Sequence, residues 1–219
     1  MTFSYMESIA RQTDPAKLVE ILQLAYSGEL AAAYAYNGHW HSLSDAAERA
    51  RVKTIEEEEL HHRQLVGEML KSLQAEADRH RELRASVVGR VLGFFCHLTG
   101  WLAPMYGAGR LESKNIVEYE TAARYARDCG RTEFVACLLT MAEVEWEHEY
   151  FFRSCVLRHW LGKRLTIWPM PPPKENIRES FAMQSSGAFT PLDAPIPTTA
   201  DRPIGEDSSA WNEVSTTSR

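Results

Sequence analysis

The stretch EEEELHHRQL, residues 56–65, packs four carboxylates and two imidazoles into one short run. It contains two overlapping Glu-x-x-His pairs, Glu58/His61 and Glu59/His62. Isolated pairs of this kind are common on the solvated faces of charged helices. Whether the run is a charged surface or part of a metal site therefore depends on where each pair lies in the surrounding apolar pattern.

Apolar residues on both sides of the run recur with the period of an α-helix. Glu59 and His62 fall on this apolar stripe, whereas Glu58 and His61 fall on a face shared with Arg51. The stripe itself consists of Val52, Ile55, Val66, Met69 and Leu73. The sequence therefore predicts that Glu59 and His62 point inward and that Glu56, Glu57, Glu58 and His61 face solvent.

Four long helices account for most of the chain up to residue 162. Asp14-Pro15 and Asp45 are signals for the start of a helix, and Gly130 is a signal for its end. The predicted helices span residues 15–41, 45–77, 110–128 and 132–160. Because sustained strand patterns are absent from the sequence, it predicts an all-α fold built on a four-helix bundle.

Acidic and imidazole side chains also interrupt the apolar stripes of the first and fourth predicted helices. In the first helix, Glu29 lies on the stripe that ends at Tyr36. In the fourth, Glu145 and His148 form another Glu-x-x-His pair, between the apolar residues Met141 and Phe152. These side chains are therefore predicted to point into the bundle.

The third predicted helix carries two candidates for an inward carboxylate. Glu118 shares a face with Leu111, Ala122 and Tyr125, and Glu120 shares a face with Ile116, Ala123 and Arg127. We expect Glu118 to be the inward residue, and Glu120 remains the alternative.

Six groups are thus expected to converge inside the bundle. Burying several carboxylates without cations is too costly, so either these groups are exposed or divalent cations lie among them. Oxygen and imidazole ligands without thiolate suit iron or manganese. The carboxylates also lie at similar distances from the two helical hairpins, so that they can meet at one level. The predicted ligands are Glu29, Glu59, His62, Glu118, Glu145 and His148.

The most apolar segment, residues 85–107, lies between the second and third helices. It predicts an additional helix, although Arg90, Gly100 and Pro104 make it a poor membrane span. After residue 162 the chain is rich in Pro, Ser and Thr, which is typical of an irregular tail that is disordered or wrapped over the surface. The expected organisation is an N-terminal segment 1–13, a helical domain 14–162 and a tail 163–219.

Composition narrows the classes of partner and compartment. A net charge of −6 argues against nucleic-acid binding. Four cysteines without a C-x-x-C pair do not form a disulfide framework or a tetracysteine metal module. Since the polar N-terminus has no apolar signal core, we expect a cytoplasmic protein, or one that is peripheral on the inner face of a membrane.

These segments resemble the ferritin-like di-iron carboxylate superfamily, and most closely its demethoxyubiquinone hydroxylase group. The similarity covers residues 15–160, and VEYETAARY at 117–125 is especially like a metal-ligand segment of that group. The resemblance implies a ferritin-like bundle in which two Fe ions, or Mn or mixed Mn/Fe, are held by the six groups named above. The short connection from Glu118 to Glu145 and the Pro-rich tail depart from the hydroxylase pattern.

The resemblance implies an oxygen-activating di-iron monooxygenase that acts on an apolar or quinone-like substrate. Its partners are then dioxygen, that substrate and an external electron donor. Residues 85–107 are expected to pack as a further helix, with homodimerisation or peripheral lipid contact as alternatives. Alternative functions are an iron-oxidising ferritin-like protein, a peroxide-scavenging rubrerythrin-like enzyme and a non-enzymatic helical bundle.

Two tyrosines and two histidines near the predicted ligands are further candidates for a role at the site. Tyr36 and Tyr125 lie two turns from Glu29 and Glu118, where they fill the core or relay a proton or an electron. His39 and His41 lie near a hairpin end, and we expect both to be exposed.

Overall fold

The computed structural model describes residues 14–186, and within this range every regular element is a helix. The prediction of an all-α fold is therefore confirmed. The expected N-terminal segment 1–13 and the part of the expected tail after residue 186 lie outside the described residues. The helices are α1 (Pro15–Ser42), α2 (Ala46–Ser72), α3 (Arg79–Cys96), α4 (Leu102–Asp128), α5 (Thr132–Arg158) and α6 (Asn176–Ser186), with a 3₁₀ turn at Gly162–Arg164.

Aspartate caps fix the beginnings of the first three helices. The carboxylates of Asp14, Asp45 and Asp78 each accept hydrogen bonds from backbone N–H groups in the first turn. At the other end of α2, Gln74 adopts a left-handed φ of 55°, and the helix ends at Ser72, five residues before the predicted end at 77. Gly130, with φ 73°, supplies the turn between α4 and α5.

Four of the helices form a bundle around a polar level. The pairs α1/α2 and α4/α5 are antiparallel hairpins, and the bundle closes through contacts of α1 with α4 and of α2 with α5. Two apolar clusters fill it, one containing Leu22, Val66 and Leu138, the other containing Ile55 and Phe152. Because Glu59 and Glu145 lie between these clusters along their helices, acidic side chains occupy a layer with apolar packing on both sides.

Helix α3 lies across α1 at close range because its contact face consists of glycines. A Cβ added to Gly38 would meet backbone atoms of Gly93 at 2.4 Å, and one added to Gly89 would meet the oxygen of Ala31 at 2.4 Å. The predicted additional helix between the second and third bundle helices is present as α3, but it ends at Cys96 and does not continue to residue 107. Left-handed Gly100, with φ 73°, lies in a break between α3 and α4.

Most of the large apolar residues of α3 are exposed. Glycines form the face that α1 covers, and Leu83, Val87, Val91, Phe94 and Phe95 are among the exposed side chains of the helix. Contact of these side chains with lipid or with a second copy of the chain stays a prediction. Within the described range, no helix has the length and apolar character needed to cross a bilayer.

The described part of the expected tail follows the outer face of α5. The buried guanidinium of Arg153 donates to the carbonyl oxygens of Trp168 and Pro169 at 3.2 and 2.9 Å. Trp146 donates its Nε1–H to the carbonyl oxygen of Pro172 at 2.8 Å. These bonds attach residues 168–172 to the bundle ahead of α6, a helix that the sequence analysis did not predict.

Candidate metal centre

Four carboxylates and two imidazoles meet at the polar level of the bundle. Each of the four bundle helices contributes, and no member of the set has more than 4% of its surface exposed. The set comprises Glu29 of α1, Glu59 and His62 of α2, Glu112 of α4, and Glu145 and His148 of α5.

The six side chains form two overlapping groups. In each group, one possible ligand atom per residue lies within 4.8 Å of the others. Glu59 and Glu145 belong to both groups, whereas each remaining residue belongs to one. Two shared carboxylates, with one unshared Glu and one unshared His in each group, are the arrangement expected for two neighbouring ions. The first group adds Glu29 and His62 to the shared pair, and the second adds Glu112 and His148.

Both imidazoles present Nδ1 to the carboxylates. His62 Nδ1 lies 3.0 Å from Glu145 Oε1, and His148 Nδ1 lies 3.2 Å from Glu59 Oε1. The geometry is not that of a hydrogen bond, and both nitrogens are left without a hydrogen-bond partner.

Unpartnered polar atoms are concentrated in this cluster. Within residues 14–186, six of the eight buried side-chain atoms that lack a hydrogen-bond partner belong to it. Such atoms are costly in a dry interior, and a divalent cation satisfies several of them at once. The donor set, carboxylate oxygen and imidazole nitrogen, fits iron or manganese. The six atoms are Glu29 Oε2, both carboxylate oxygens of Glu59, Glu145 Oε1 and the Nδ1 atoms of His62 and His148.

Without a cation, the cluster shifts its own proton affinities. Burial, together with repulsion from Glu59, raises the pKa of Glu29 well above its ordinary value. Burial and the neighbouring Glu145 do the same to the pKa of Glu112. Burial also opposes a charge on Glu145, but the imidazoles of His148 and His62 outweigh it and lower its pKa. The metal-free cluster therefore keeps protons where a cation would otherwise lie.

Hydrogen bonds hold in place the two unshared carboxylates, Glu29 and Glu112. The Tyr119 hydroxyl donates to Glu29, and the Tyr36 hydroxyl donates to Glu112. The Asn115 amide donates to Glu112 Oε2 at 2.9 Å. Each tyrosine thus links α1 to α4 across the bundle, and one oxygen of Glu29 remains free to face the cluster.

The expected inward placement of Glu118 is wrong. Glu118 and Leu111 on the same face are both exposed, and Glu118 lies outside both ligand groups. Glu112, one and a half turns earlier, is fully buried and takes the place expected for it. The rival Glu120 is partly buried and forms an ion pair with Arg124 at 2.9 Å. The other five predicted ligands are all brought together.

Two further side chains differ from the sequence prediction. Glu58, expected to face solvent, accepts a hydrogen bond from His148 Nε2 at 2.7 Å. His39, expected to be exposed, is 2% exposed, and its ring stacks on those of Tyr36 and Phe152, which also stack on each other. Burial lowers the pKa of His39 to about 4, so it is neutral at pH 7. His41 is exposed, as expected.

An apolar cleft of about 740 Å³ opens beside the cluster, between α1, α3 and α4. Small residues of α1, including Gly28 and Ala32, form one wall, and Val88 and Leu92 of α3 extend it. Glu29 also lines the cleft, as do Tyr119 and Asn115. The cleft therefore reaches Glu29, the unshared carboxylate of the first ligand group.

The fold and the site together define an all-α bundle with a buried carboxylate–histidine cluster that could hold metal ions. Comparisons of the chain with models of protein families, with curated proteins and with solved structures find no match. The resemblance to ferritin-like proteins stays a prediction that depends on the residues themselves.

Proposed function

We propose that this protein is a ferritin-like dinuclear-iron oxidoreductase that activates dioxygen and oxygenates an apolar substrate. The observation that carries the proposal is the pair of overlapping ligand groups that share Glu59 and Glu145. Two iron ions, when bound, supply the electrons that reduce dioxygen. Mn or mixed Mn/Fe occupancy fits the same donors.

The assignment of residues follows from the two groups. Glu29 and His62 would hold one ion and Glu112 and His148 the other, and Glu59 and Glu145, which belong to both groups, would serve both. Four carboxylates balance the charge of two divalent ions, which removes the cost of burying them unpaired. Glu112 replaces Glu118 in the ligand set that the sequence predicted.

The cleft favours an oxygenase over an iron store or a peroxide scavenger. A pocket of about 740 Å³ accommodates a drug-sized organic molecule. Its walls are mainly aliphatic, and its polar lining residues include Glu29, Lys114, Asn115 and Glu118. Such walls suit an apolar or quinone-like molecule bound on the Glu29 side of the centre. Iron oxidation alone requires no cleft of this kind.

Oxygen uptake by the ferrous protein tests the proposal. We expect anaerobically Fe(II)-loaded protein to bind about two ions per chain and to consume dioxygen on exposure to air. Because Glu59 contacts both ion positions, Glu59→Ala should bind little metal and consume dioxygen at least about tenfold more slowly. Glu57→Ala is the matched control, since Glu57 is exposed, precedes Glu59 by two positions and belongs to neither ligand group.

An oxygen electrode and elemental analysis provide the two readouts. Stoichiometric metal without oxygen uptake would contradict the proposed activation of dioxygen but not the metal centre. Equal metal content in the wild type and Glu59→Ala would contradict both.

Filling the cleft should separate substrate binding from metal binding. A Cβ added to Gly28 meets no atom within 4 Å, and Gly28 lines the cleft, so Gly28→Leu should place its side chain in the cleft. We expect an alkyl-substituted benzoquinone to bind about tenfold or more weakly to this variant, with unchanged metal content. Gly107→Leu is the control, because its Cβ also meets open space but outside the cleft. Fluorescence quenching titrations measure the affinity; equal affinities for the two variants would show that the quinone does not use this cleft.

A further inference from the structure

The histidine of the second ligand group has an outer carboxylate partner. While His148 Nδ1 faces the cluster, its Nε2 donates to Glu58 Oε2 at 2.7 Å. Arg51 donates to the same oxygen of Glu58 at 3.0 Å. Arg51, Glu58 and His148 therefore form a chain of contacts from the surface of α2 to the interior of α5.

The histidine of the first group lacks such a partner. Glu59 and His62 of α2 correspond to Glu145 and His148 of α5 with a constant offset of 86 positions. The same offset carries Glu58 onto Val144, which lines a small cavity of about 300 Å³ together with His62. Within residues 14–186, no carboxylate forms an ion pair with His62 Nε2. The two halves of the centre thus have equivalent ligands but differ at the outer Nε2 atom of the histidine, which, among the described residues, has a carboxylate partner only at His148.

We propose that Glu58 is a positioning residue that makes the two metal positions unequal, with the tighter one at His148. The inference rests on the proposed dinuclear centre. A carboxylate that holds Nε2–H fixes the ring tautomer, directs the Nδ1 lone pair at the metal and makes that nitrogen a stronger donor. Removing such a partner typically lowers metal affinity by about 10- to 100-fold.

The inequality has a direction in the fold. The tighter position, held by Glu112 and His148, fills first and keeps its ion. The weaker position, held by Glu29 and His62, lies beside the apolar cleft, because Glu29 lines that cleft. The more exchangeable ion is therefore the one next to the substrate.

Titration of the metal-free full-length chain with Mn²⁺ by calorimetry tests this inference. The wild type should bind two ions in two resolved steps. Glu58→Gln should weaken the first step by about 10- to 100-fold and leave the second unchanged. Glu57→Gln is the matched control, because it removes the same charge from the preceding position of α2, where Glu57 is exposed and pairs with Lys53. Circular dichroism checks that both variants keep their helices.

The reciprocal substitution provides a gain of affinity. Val144 is partly buried and faces the cavity beside His62, so Val144→Glu places a carboxylate where the pseudo-symmetry expects one. This variant should tighten the second step and bring the two affinities closer together. In the double variant Val144→Glu/Glu58→Gln, the position at His62 should fill first. Adding Glu29→Ala or Glu112→Ala removes a ligand of one position and so shows which position each binding step belongs to.

The outcomes distinguish failure of this inference from failure of the proposed centre. If the wild type binds no Mn²⁺ at the cluster, the dinuclear centre itself is wrong. If it binds two ions but Glu58→Gln behaves like Glu57→Gln, or weakens both steps equally, Glu58 does not differentiate the positions and the inference is overturned.

Discussion

Glu112→Ala should release about one of the two metal ions bound per chain, whereas Glu118→Ala should release none. Glu112 is fully buried within the second ligand group, and its loss leaves His148 and the two shared carboxylates to hold that ion. Removing a direct ligand should cost about 100-fold or more in affinity, at or beyond the upper end of the effect of an outer partner. Glu118 is exposed, lines the cleft and belongs to neither ligand group.

Elemental analysis after desalting measures this difference. Glu118→Ala and Glu120→Ala are the controls, because they remove the same charge from the same helix, at the positions favoured by the sequence. Retained metal in Glu112→Ala, with loss in Glu118→Ala, would show that the face of α4 described here is not the one that faces the metals.

The error at Glu118 shows what helix position alone can decide. Glu145 follows the turn residue Gly130 by 15 positions, whereas Glu112 precedes it by 18 and Glu118 by 12. Both therefore miss the level of Glu145 by three positions, about 4.5 Å at the rise of an α-helix. Depth cannot separate them, and only the face of the helix can.

The sequence did contain a signal for the correct face. Residues at helical spacing around Glu112, namely Met105, Gly109, Ile116 and Tyr119, are all uncharged, whereas Lys114 lies one turn before Glu118 on its face. A tyrosine follows seven positions after Glu29, Glu112 and Glu118 alike, so the tyrosine spacing decided nothing. The apolar stripe around Glu112 is therefore a better indicator of the inward face of α4 than the resemblance of VEYETAARY to the hydroxylase group.

The ligands of α1, α2 and α5 were predictable because long, regular apolar stripes define one face without ambiguity. Glu58 was not, because its contact with His148 depends on how α2 and α5 pack and on the reach of one side chain. His39 was missed for a similar reason. A position near a hairpin end suggests exposure, but Phe152 of α5 covers its ring.

The metal-free protein should lose stability as the pH rises from about 5.5 to 8, and bound metal should reverse this trend. Burial raises the folded-state pKa values of Glu29 and Glu112 above those of the unfolded chain. The carboxylates around His148 outweigh its burial and raise its pKa as well. In this pH range the folded metal-free chain therefore holds more protons than the unfolded chain, so unfolding becomes more favourable as protons become scarce.

The size of the effect follows from the number of protons held. Each extra proton in the folded state costs about 1.4 kcal/mol per pH unit, so the two buried carboxylates together cost about 3 kcal/mol per unit while both remain protonated. The lowered pKa values of Glu145 and Glu58 act in the opposite direction but only below about pH 4.5, outside this range. Burial lowers the pKa of His39 to about 4, so His39 also acts in the opposite direction up to about pH 6.5, and the fall in stability is steepest above that pH. Metal ions replace the protons, so metal affinity and the stability of the loaded protein should rise with pH.

Thermal unfolding of chelator-treated and Mn²⁺-loaded protein at several pH values measures both slopes. For the metal-free wild type we expect the midpoint to fall by roughly 5–10 °C per pH unit within the range. Glu29→Gln/Glu112→Gln is the matched control, because it keeps the side-chain shapes but removes the two titrating groups, and its slope should be much flatter. A metal-free wild type whose midpoint rises with pH, or whose slope equals that of the double variant, would mean that these carboxylates are not buried together in the folded chain.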